Sequence, residues 1–474
     1  MRSEPSDEVD PYLLGCYAPI EDEVVIPRLE LIEGAVPGDL RGTFVRNGAN
    51  PRYRAQGRHH WFDGDGMLHA VAFADGAASY RNRYVQTAGF LAEARAGEAL
   101  WTGLLVRPDL SRPGGPYKNT ANTDVTWHNG QLLAMWWMGG EVYRVRLPDL
   151  ETVGALEPGF GRGMAAHAKV DPRTGELIYI DHGPRPPHLV CGLLAADGAL
   201  LCERPIALPG PRLQHDLAIT DDYVIVFDLS MMADPDELRR GREKIRFFRE
   251  VPTRIGLVRR TPGGLERDVQ WFETTPFYLY HTINAWQEGD DVVLVGCRIA
   301  DPLVGDPRNP ARPFQVPEIA NLRLEPYLHR WRLSPATGRV REEQLDDVMS
   351  EFPRIDDRAL GQRSRYAYSP RIAPAPTLLF DGVLRYDLSL GASMCHAYAD
   401  GLFGGEVTFA PREGGSDAED DGYLVTIACD RAGARAEVHV IDAGTMTLAC
   451  RLRVPARVPV GYHATWVPGD AASA

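Results

Sequence analysis

The stretch DPRTGELIYIDHGPRPPHLVCGLLAADGALL, residues 171–201, holds two short apolar runs, ELIYI and HLVCGLL, each bounded by Pro, Gly or Asp. Runs this short, flanked by turn residues, read as strands; a helix needs a longer 3.6-residue periodicity. Asp197-Gly198 supplies the turn of a hairpin, because a two-residue connection requires positive φ and these residues tolerate it. The same grammar recurs outward. FADGAASYRNRYVQT (73–87) is another strand pair with a DG turn. GTFVRN, GMLHAVAF, QLLAMWW, YVIVFDLS, DVVLVGCRI, RLEPYLHRWRLS, YLVTIACD and AEVHVIDA continue the pattern from about residue 40 to the end. The 47 Gly and 37 Pro punctuate these segments. Helical patterns are scarce: PDELRRGREKIRFFRE (235–250) is one candidate and GFLAEARAGEALWTGLL (89–105) another, the latter able to face core or membrane. The P-loop and the GxGxxG fingerprint are absent, and no strand and long-helix alternation supports a doubly wound sheet. An all-β architecture follows. A propeller of radial sheets fits 474 residues and protects its strand edges, while a sandwich competes, since no crisp blade repeat is visible.

Composition narrows the function. With 44% hydrophobic and 24% charged residues the chain is a globular protein, and its formal charge of −14 argues against a sequence-independent nucleic-acid binder. The first residues carry no sustained apolar segment and nothing in the chain is long and apolar enough to span a bilayer; a cytoplasmic protein is the expectation, with peripheral membrane contact left open. The seven cysteines are scattered without CxxC spacing, as expected of reduced, buried small hydrophobes, so a sulfur-ligated metal is set aside.

Histidine sites are not. Of 13 histidines, His167 (AAHAKVDP), His215 (LQHDLAIT), His281 (LYHTINAW) and His463 (VGYHATWV) each stand beside a short apolar segment. Their spacing cannot put them on one helix. It can converge them if each comes from the inner edge of a different blade, and four neutral imidazoles suit a first-row divalent metal. His59, His60, His69 and His128 are rival ligands, and independent hydrogen bonding of every one is the plain alternative.

Several motifs in order make the chain resemble the carotenoid cleavage oxygenase family, which includes cleavers of carotenoids, apocarotenoids, stilbenes and phenylpropenes. They are GTFVRNGANPRY, HHWFDGDGMLHAVAF, AHAKVDPRTGEL, QHDLAIT, HTINAWQEGD, EFPRIDDRALGQRSRYAY, GGEVTFAPR with EDDGYLVT, and VPVGYHATWVP, running from about residue 25 to the C-terminus. The resemblance implies one domain over 1–474, with 1–24 as an N-terminal extension: a seven-bladed β-propeller with an axial metal site under a loop and helix dome. It implies Fe(2+) held by His167, His215, His281 and His463, with Glu351 and Glu406 accepting hydrogen bonds from His281 and His463. It also places Thr123 of NTANTDV near an open iron position.

Three departures matter. Relatives carry a glutamate in a stretch like ALWEGG, whereas this chain reads AMWWMGGEVY (134–143), with Trp137 or Met138 in its place according to register; Glu141 could compensate only after a local shift. Stilbene and phenylpropene cleavers often have a lysine just before that glutamate, and here Trp136 or Trp137 stands there. Ala464 follows the last ligand where relatives often have glycine. The expected activity is therefore O2-dependent cleavage of an apolar polyene, an apocarotenoid, into two carbonyl products, with Trp136, Trp137 and Phe314 as candidate pocket residues. Cleavage of a stilbene or phenylpropene, and a hydrophobic-ligand-binding propeller without turnover, are the competing readings. Oligomeric state is not legible.

Overall fold

The computed structural model describes residues 10–107, 109, 111–112, 115–156, 163–240, 244–304, 315–320 and 322–469. The opening stretch folds as read: Leu177–His182 and His188–Leu194 pair antiparallel, with Leu200–Ala207 beyond, and Gly175 (φ 70°) and Gly198 (φ 85°) take the left-handed turn positions. Met67–Ala74 and Ala77–Tyr84 form a hairpin across Asp75 (φ 50°) and Gly76 (φ 69°), the two-residue geometry whose twist suits paired strands. Along Ala77–Tyr84 burial alternates strictly, the mark of a strand with one face in the core.

Seven radial sheets close into a β-propeller. Blade 1 pairs Gly42–Arg46 both with Met67–Ala74 and with Ala464–Pro468 from the far end of the chain, in the register Arg46↔Ala464 and Phe44↔Trp466. Blades 2 to 5 begin on the inner strands Asp124–His128, Lys169–Val170, Ala218–Ile219 and Tyr278–Glu288. Blade 6 begins on Tyr366–Ile372, with residues 350–354 bridged to its inner side through Ser350↔Arg371 and Arg354↔Tyr368. Blade 7 begins on Thr408–Pro411 and ends outside on Glu30–Gly34, which pairs with Leu448–Val454. The two chain ends are thus threaded into neighbouring blades. Leu40, Phe44, Val71, Val425, Val440 and Trp466 pack in one buried cluster across that seam, and each such side chain contributes about 1.5–3 kcal/mol by leaving water, so ring closure rests on apolar burial as well as on the strand ladders.

A cover of short elements lies over one face: the 3₁₀ turns Pro11–Leu13, Gly15–Tyr17 and Trp61–Asp63, and the two-stranded insertion Glu318–Ile319 with Leu322–Arg323. Tyr12 stacks on Trp61 with ring centroids 5.1 Å apart, and its hydroxyl donates to Glu318 O (2.9 Å) and accepts from Leu378 N–H (3.0 Å). The helix expected within 89–105 is Ala88–Ala96, capped by Thr87 and ended by Gly97. The one expected over 235–250 is a correction. It is confined to Pro235–Arg239, and Ile245–Phe247 is a strand paired with Met231–Ala233, because Phe247 buries beside Met231 in the main core. Tertiary pairing overrides helical propensity there. No helix among the described residues is long and apolar enough to cross a membrane. All seven cysteines are unpaired, and only Cys395 is exposed.

Candidate metal centre

Each of the four histidines reaches the axis from the inner edge of its own blade. His463 immediately precedes Ala464–Pro468, His167 and His215 shortly precede Lys169–Val170 and Ala218–Ile219, and His281 lies inside Tyr278–Glu288, where shifts of register at Leu279/Thr282 and Thr282/Asn284 re-aim the strand. Their ligating atoms all lie within 4.8 Å of one another, and all four side chains are buried. Ring centroids are 4.6 Å apart for His167 and His215, 4.5 Å for His167 and His463, and 4.6 Å for His281 and His463. Three rivals are engaged elsewhere: His60 Nδ1 accepts Phe62 N–H (3.0 Å), His69 Nδ1 meets Tyr80 Oη (2.7 Å) and His128 Nε2 meets Gly175 O (3.0 Å). His59 also has a buried Nδ1 without a hydrogen-bond partner, 3.9 Å from Asp63, but it stands outside the four-histidine group.

Burial pushes His167, His215 and His281 well below the usual histidine range, and the other imidazoles push the same way. Burial also acts downward on His463, but the Glu406 carboxylate outweighs it and holds this ring above its ordinary value. Nε2 of His167 and Nε2 of His281 are buried without a hydrogen-bond partner. A buried orphan nitrogen is costly, and two of them in a cluster of neutral imidazoles fit a metal ion that would take their lone pairs.

Carboxylates surround the cluster. Glu351 Oε2 accepts both His281 Nδ1–H and Phe352 N–H, each at 2.5 Å, while Oε1 has no partner; burial raises this carboxyl to about 8. Glu406 divides its oxygens, Oε1 to His463 Nδ1–H (3.0 Å) and Oε2 to Ala464 N–H (2.5 Å). Two more acids were missed in the sequence. Asp124 Oδ2 accepts His167 N–H (3.1 Å), and Asp216 Oδ2 accepts Thr282 N–H and Thr282 Oγ1–H (both 2.8 Å), next to His281. Their adjacency to Thr123 and His215 in the motifs NTDV and QHDL was the available signal. In three cases a carboxylate of one blade therefore pins the backbone at or beside a ligand histidine in the next: Asp124 from blade 2 to 3, Asp216 from 4 to 5, Glu406 from 7 to 1.

His215 differs. Among the described residues it has ring contacts but no hydrogen bond at either ring nitrogen: Tyr280 meets it edge-on at 4.9 Å and Trp137 lies at 6.5 Å. Trp137 is held in place by its own backbone, donating N–H to Thr123 Oγ1 (3.1 Å) and accepting His182 Nε2–H at 2.9 Å. Glu141 is exposed and accepts Tyr143 Oη–H (2.7 Å), so it does not compensate.

Two cavities meet the cluster. On the covered side a pocket of ≈ 420 Å³, interstitial and solvent-open space included, touches His215, His281 and His463 and is walled by Trp61, Phe62, Tyr280, Ile319, Phe352 and Tyr462, with Thr123 also in its lining. On the other side a wider channel, ≈ 1430 Å³ including its open mouth, touches His167 and His463 and is lined by Asp124, Lys169, Arg354 and Asp357 among others. Trp137 packs edge-on against Phe62, ring centroids 6.0 Å apart, and so stands just behind the apolar wall. Trp136 is buried and faces a separate small cavity with Tyr53, Lys118 and Thr120. Phe314 lies outside the described residues.

The family model described as retinal pigment epithelial membrane protein matches residues 17–468. This chain belongs to the carotenoid cleavage oxygenase family. It is 31% identical over 498 residues to carotenoid 9,10(9',10')-cleavage dioxygenase 1 of Phaseolus vulgaris, covering 96% of this chain and 89% of that one. It is 30% identical over 522 residues to the carotenoid cleavage oxygenase of Mycobacterium tuberculosis, covering 98% and 99%. Among solved structures it is similar to the lignostilbene dioxygenase of Pseudomonas brassicacearum (TM-score 0.85, 30% identity, 97% and 99% covered) and to a mutant apocarotenoid oxygenase of Synechocystis (TM-score 0.82, 25% identity, 96% and 98% covered). As a member of this family the chain is an oxygenase.

Proposed function

We propose that this carotenoid cleavage oxygenase is a non-haem Fe(II) dioxygenase that splits a carbon–carbon double bond of an apolar polyene, an apocarotenoid, into two carbonyl products. The observation that carries the reading is the set of four buried imidazoles, His167, His215, His281 and His463, with ligating atoms within 4.8 Å, set at the end of an aromatic pocket. When bound, Fe(II) supplies the redox chemistry that lets ground-state O2 react with a closed-shell alkene. The protein does the rest. Four neutral ligands leave the charge of the ion uncompensated at the first layer, and Glu351 and Glu406 offset it from behind while fixing the tautomers of His281 and His463. Trp61, Phe62, Phe352 and Tyr462 exclude water and lay an extended apolar chain against the cluster. Thr123 spends its hydroxyl on Trp137 N–H and Asn122 Oδ1, so it shapes the pocket lining without lending a proton.

The choice of a polyene over a phenolic stilbene rests on the pocket wall: among the described residues lining it there is no lysine or arginine to meet a phenolate. The test is anaerobic purification with iron quantification, followed by O2 uptake and product masses on a panel of apocarotenoids, stilbenes and phenylpropenes. One iron per chain and one O2 consumed per apocarotenoid cleaved are expected. Preferred turnover of a 4-hydroxystilbene would replace the substrate assignment, and ligand binding with iron retained but no O2 uptake would overturn the enzymatic one.

A further inference from the structure

We infer that Asp124 is the positioning residue for the His167 ligand, serving that imidazole as Glu351 and Glu406 serve His281 and His463. The inference rests on the metal reading of the cluster. Asp124 opens the inner strand of blade 2 and is buried. Its Oδ1 accepts Val125 N–H at 2.7 Å. Its Oδ2 faces blade 3, accepting His167 N–H at 3.1 Å and lying 3.6 Å from His167 Nδ1. The other ring nitrogen, Nε2, is the buried orphan. The imidazole thus has a carboxylate behind Nδ1 and a free lone pair at Nε2, the same polarity that Glu351 gives His281.

The backbone gives this carboxylate a second task. His167 sits at φ 71°, a left-handed conformation that non-glycine residues rarely adopt. The bond from its N–H to Asp124 holds that conformation and so fixes where the ring starts. Glu406 makes the same pair of contacts, ring nitrogen and backbone N–H, with separate oxygens. Asp124, one methylene shorter, presents one oxygen to both. At 3.6 Å the ring contact is beyond a hydrogen bond, so its effect is that of a nearby negative charge: it favours the Nδ1–H tautomer and leaves Nε2 to ligate.

The experiment compares wild type with Asp124→Asn for cobalt(II) and Fe(II) affinity by chelator competition, for thermal stability with and without metal, and for the cobalt(II) ligand-field spectrum. Metal affinity in D124N is expected to fall by about 10- to 100-fold, with an altered spectrum and a smaller metal-induced rise in Tm. A purely structural acid would lower the metal-free and metal-bound Tm equally and leave affinity and spectrum unchanged, which overturns the inference. Wild type that binds no metal overturns the metal reading itself, a distinct result. Should D124N fail to fold, nitrogen-15 NMR of the metal-free wild type decides: His167, assigned by its loss in His167→Gln, is expected as the Nδ1–H tautomer, and the Nε2–H tautomer refutes the role assigned to Asp124.

Discussion

Glu351 and Glu406 support their histidines with different geometries, and the substitutions E351Q and E406Q turn that difference into a measurement. Both partners of Glu351 share one oxygen, and Oε1 has none. A glutamine can therefore put its carbonyl oxygen at the Oε2 position, keep both bonds and turn its amide into the unpartnered place. Glu406 uses both oxygens against two N–H donors. A glutamine there must set its NH2 against one of them, and a buried donor left unsatisfied costs about 1–3 kcal/mol. Replacing either carboxylate is expected to weaken metal binding about 10- to 100-fold, which is about 1.4–2.7 kcal/mol.

The metal-free proteins should separate further with pH. Burial raises the Glu351 carboxyl to about 8, against an ordinary 4.5, so between those values the unfolded chain has released the proton that the native one keeps. Stability from this group is fully present below pH 4.5 and is lost as pH rises through 8, a loss of about 3 kcal/mol by pH 7 from the 2.5-unit interval above 4.5. E351Q does not titrate and escapes it. Urea unfolding of chelator-treated protein at pH 5 and 8, with metal competition alongside, is the assay. E351Q should match wild type at pH 5 and exceed it at pH 8, while E406Q should be weaker at both. Equal destabilisation of the metal-free protein by the two substitutions would refute the account of shared and divided oxygens, and unchanged metal affinity in both would remove the carboxylates from the site.

Three further outcomes are expected. T123A strips the acceptor from Trp137 N–H and should cost about 1–3 kcal/mol in urea unfolding, whereas T123S should stay near wild type; equal losses would show that the methyl, not the hydroxyl, matters. His60 accepts Phe62 N–H through Nδ1 and burial lowers it to about 3, so the unfolded chain takes up a proton first as pH falls below 6.5 and stability should drop between pH 6.5 and 3. H60N, which keeps an acceptor and does not titrate, should flatten the acid limb of stability against pH, and an unchanged slope would place the effect elsewhere. W137E would set a carboxylate toward His215, whose ring lies 6.5 Å from the indole: the metal-free protein should lose a few kcal/mol from the buried acid and the missing ring, while metal release slows, and identical losses with and without metal would sever Trp137 from His215.

What could be read in the sequence follows from the range of each interaction. Strands and hairpins were legible because their signals are local: Gly198 and the pair Asp75-Gly76 fix their turns through φ values that few residues accept. The segment 235–250 misled because its helical pattern is also local, whereas the pairing of Phe247 with Met231 that decides it is a contact between insertions. The histidines were individually ambiguous, since His69 and His128 look no different until their partners, Tyr80 and Gly175, are in place. Only the family likeness separated ligand from core histidine. It also carried Glu351 and Glu406, but it was silent on Asp124 and Asp216, which act one blade away from the motifs that contain them.

That silence has a physical origin. Strand pairing runs within each blade and says nothing about how neighbouring blades are held at the axis, where the four imidazoles meet within 4.8 Å. The blades here are tied at that radius by carboxylates reaching across to backbone N–H groups, at His167, Thr282 and Ala464. Such a tie fixes the main chain before the ring turns, so the ligand set can be held in place even where, as at His215, no acceptor stands behind the imidazole. Support of the backbone and support of the ring are then separable: beside His215, the Asp216 side chain grips blade 5 and pairs with Lys169 of blade 3 at 2.8 Å. The absence of an acceptor behind the His215 ring is tolerable for that reason, and its cost should appear in how fast metal leaves and not in whether the propeller closes.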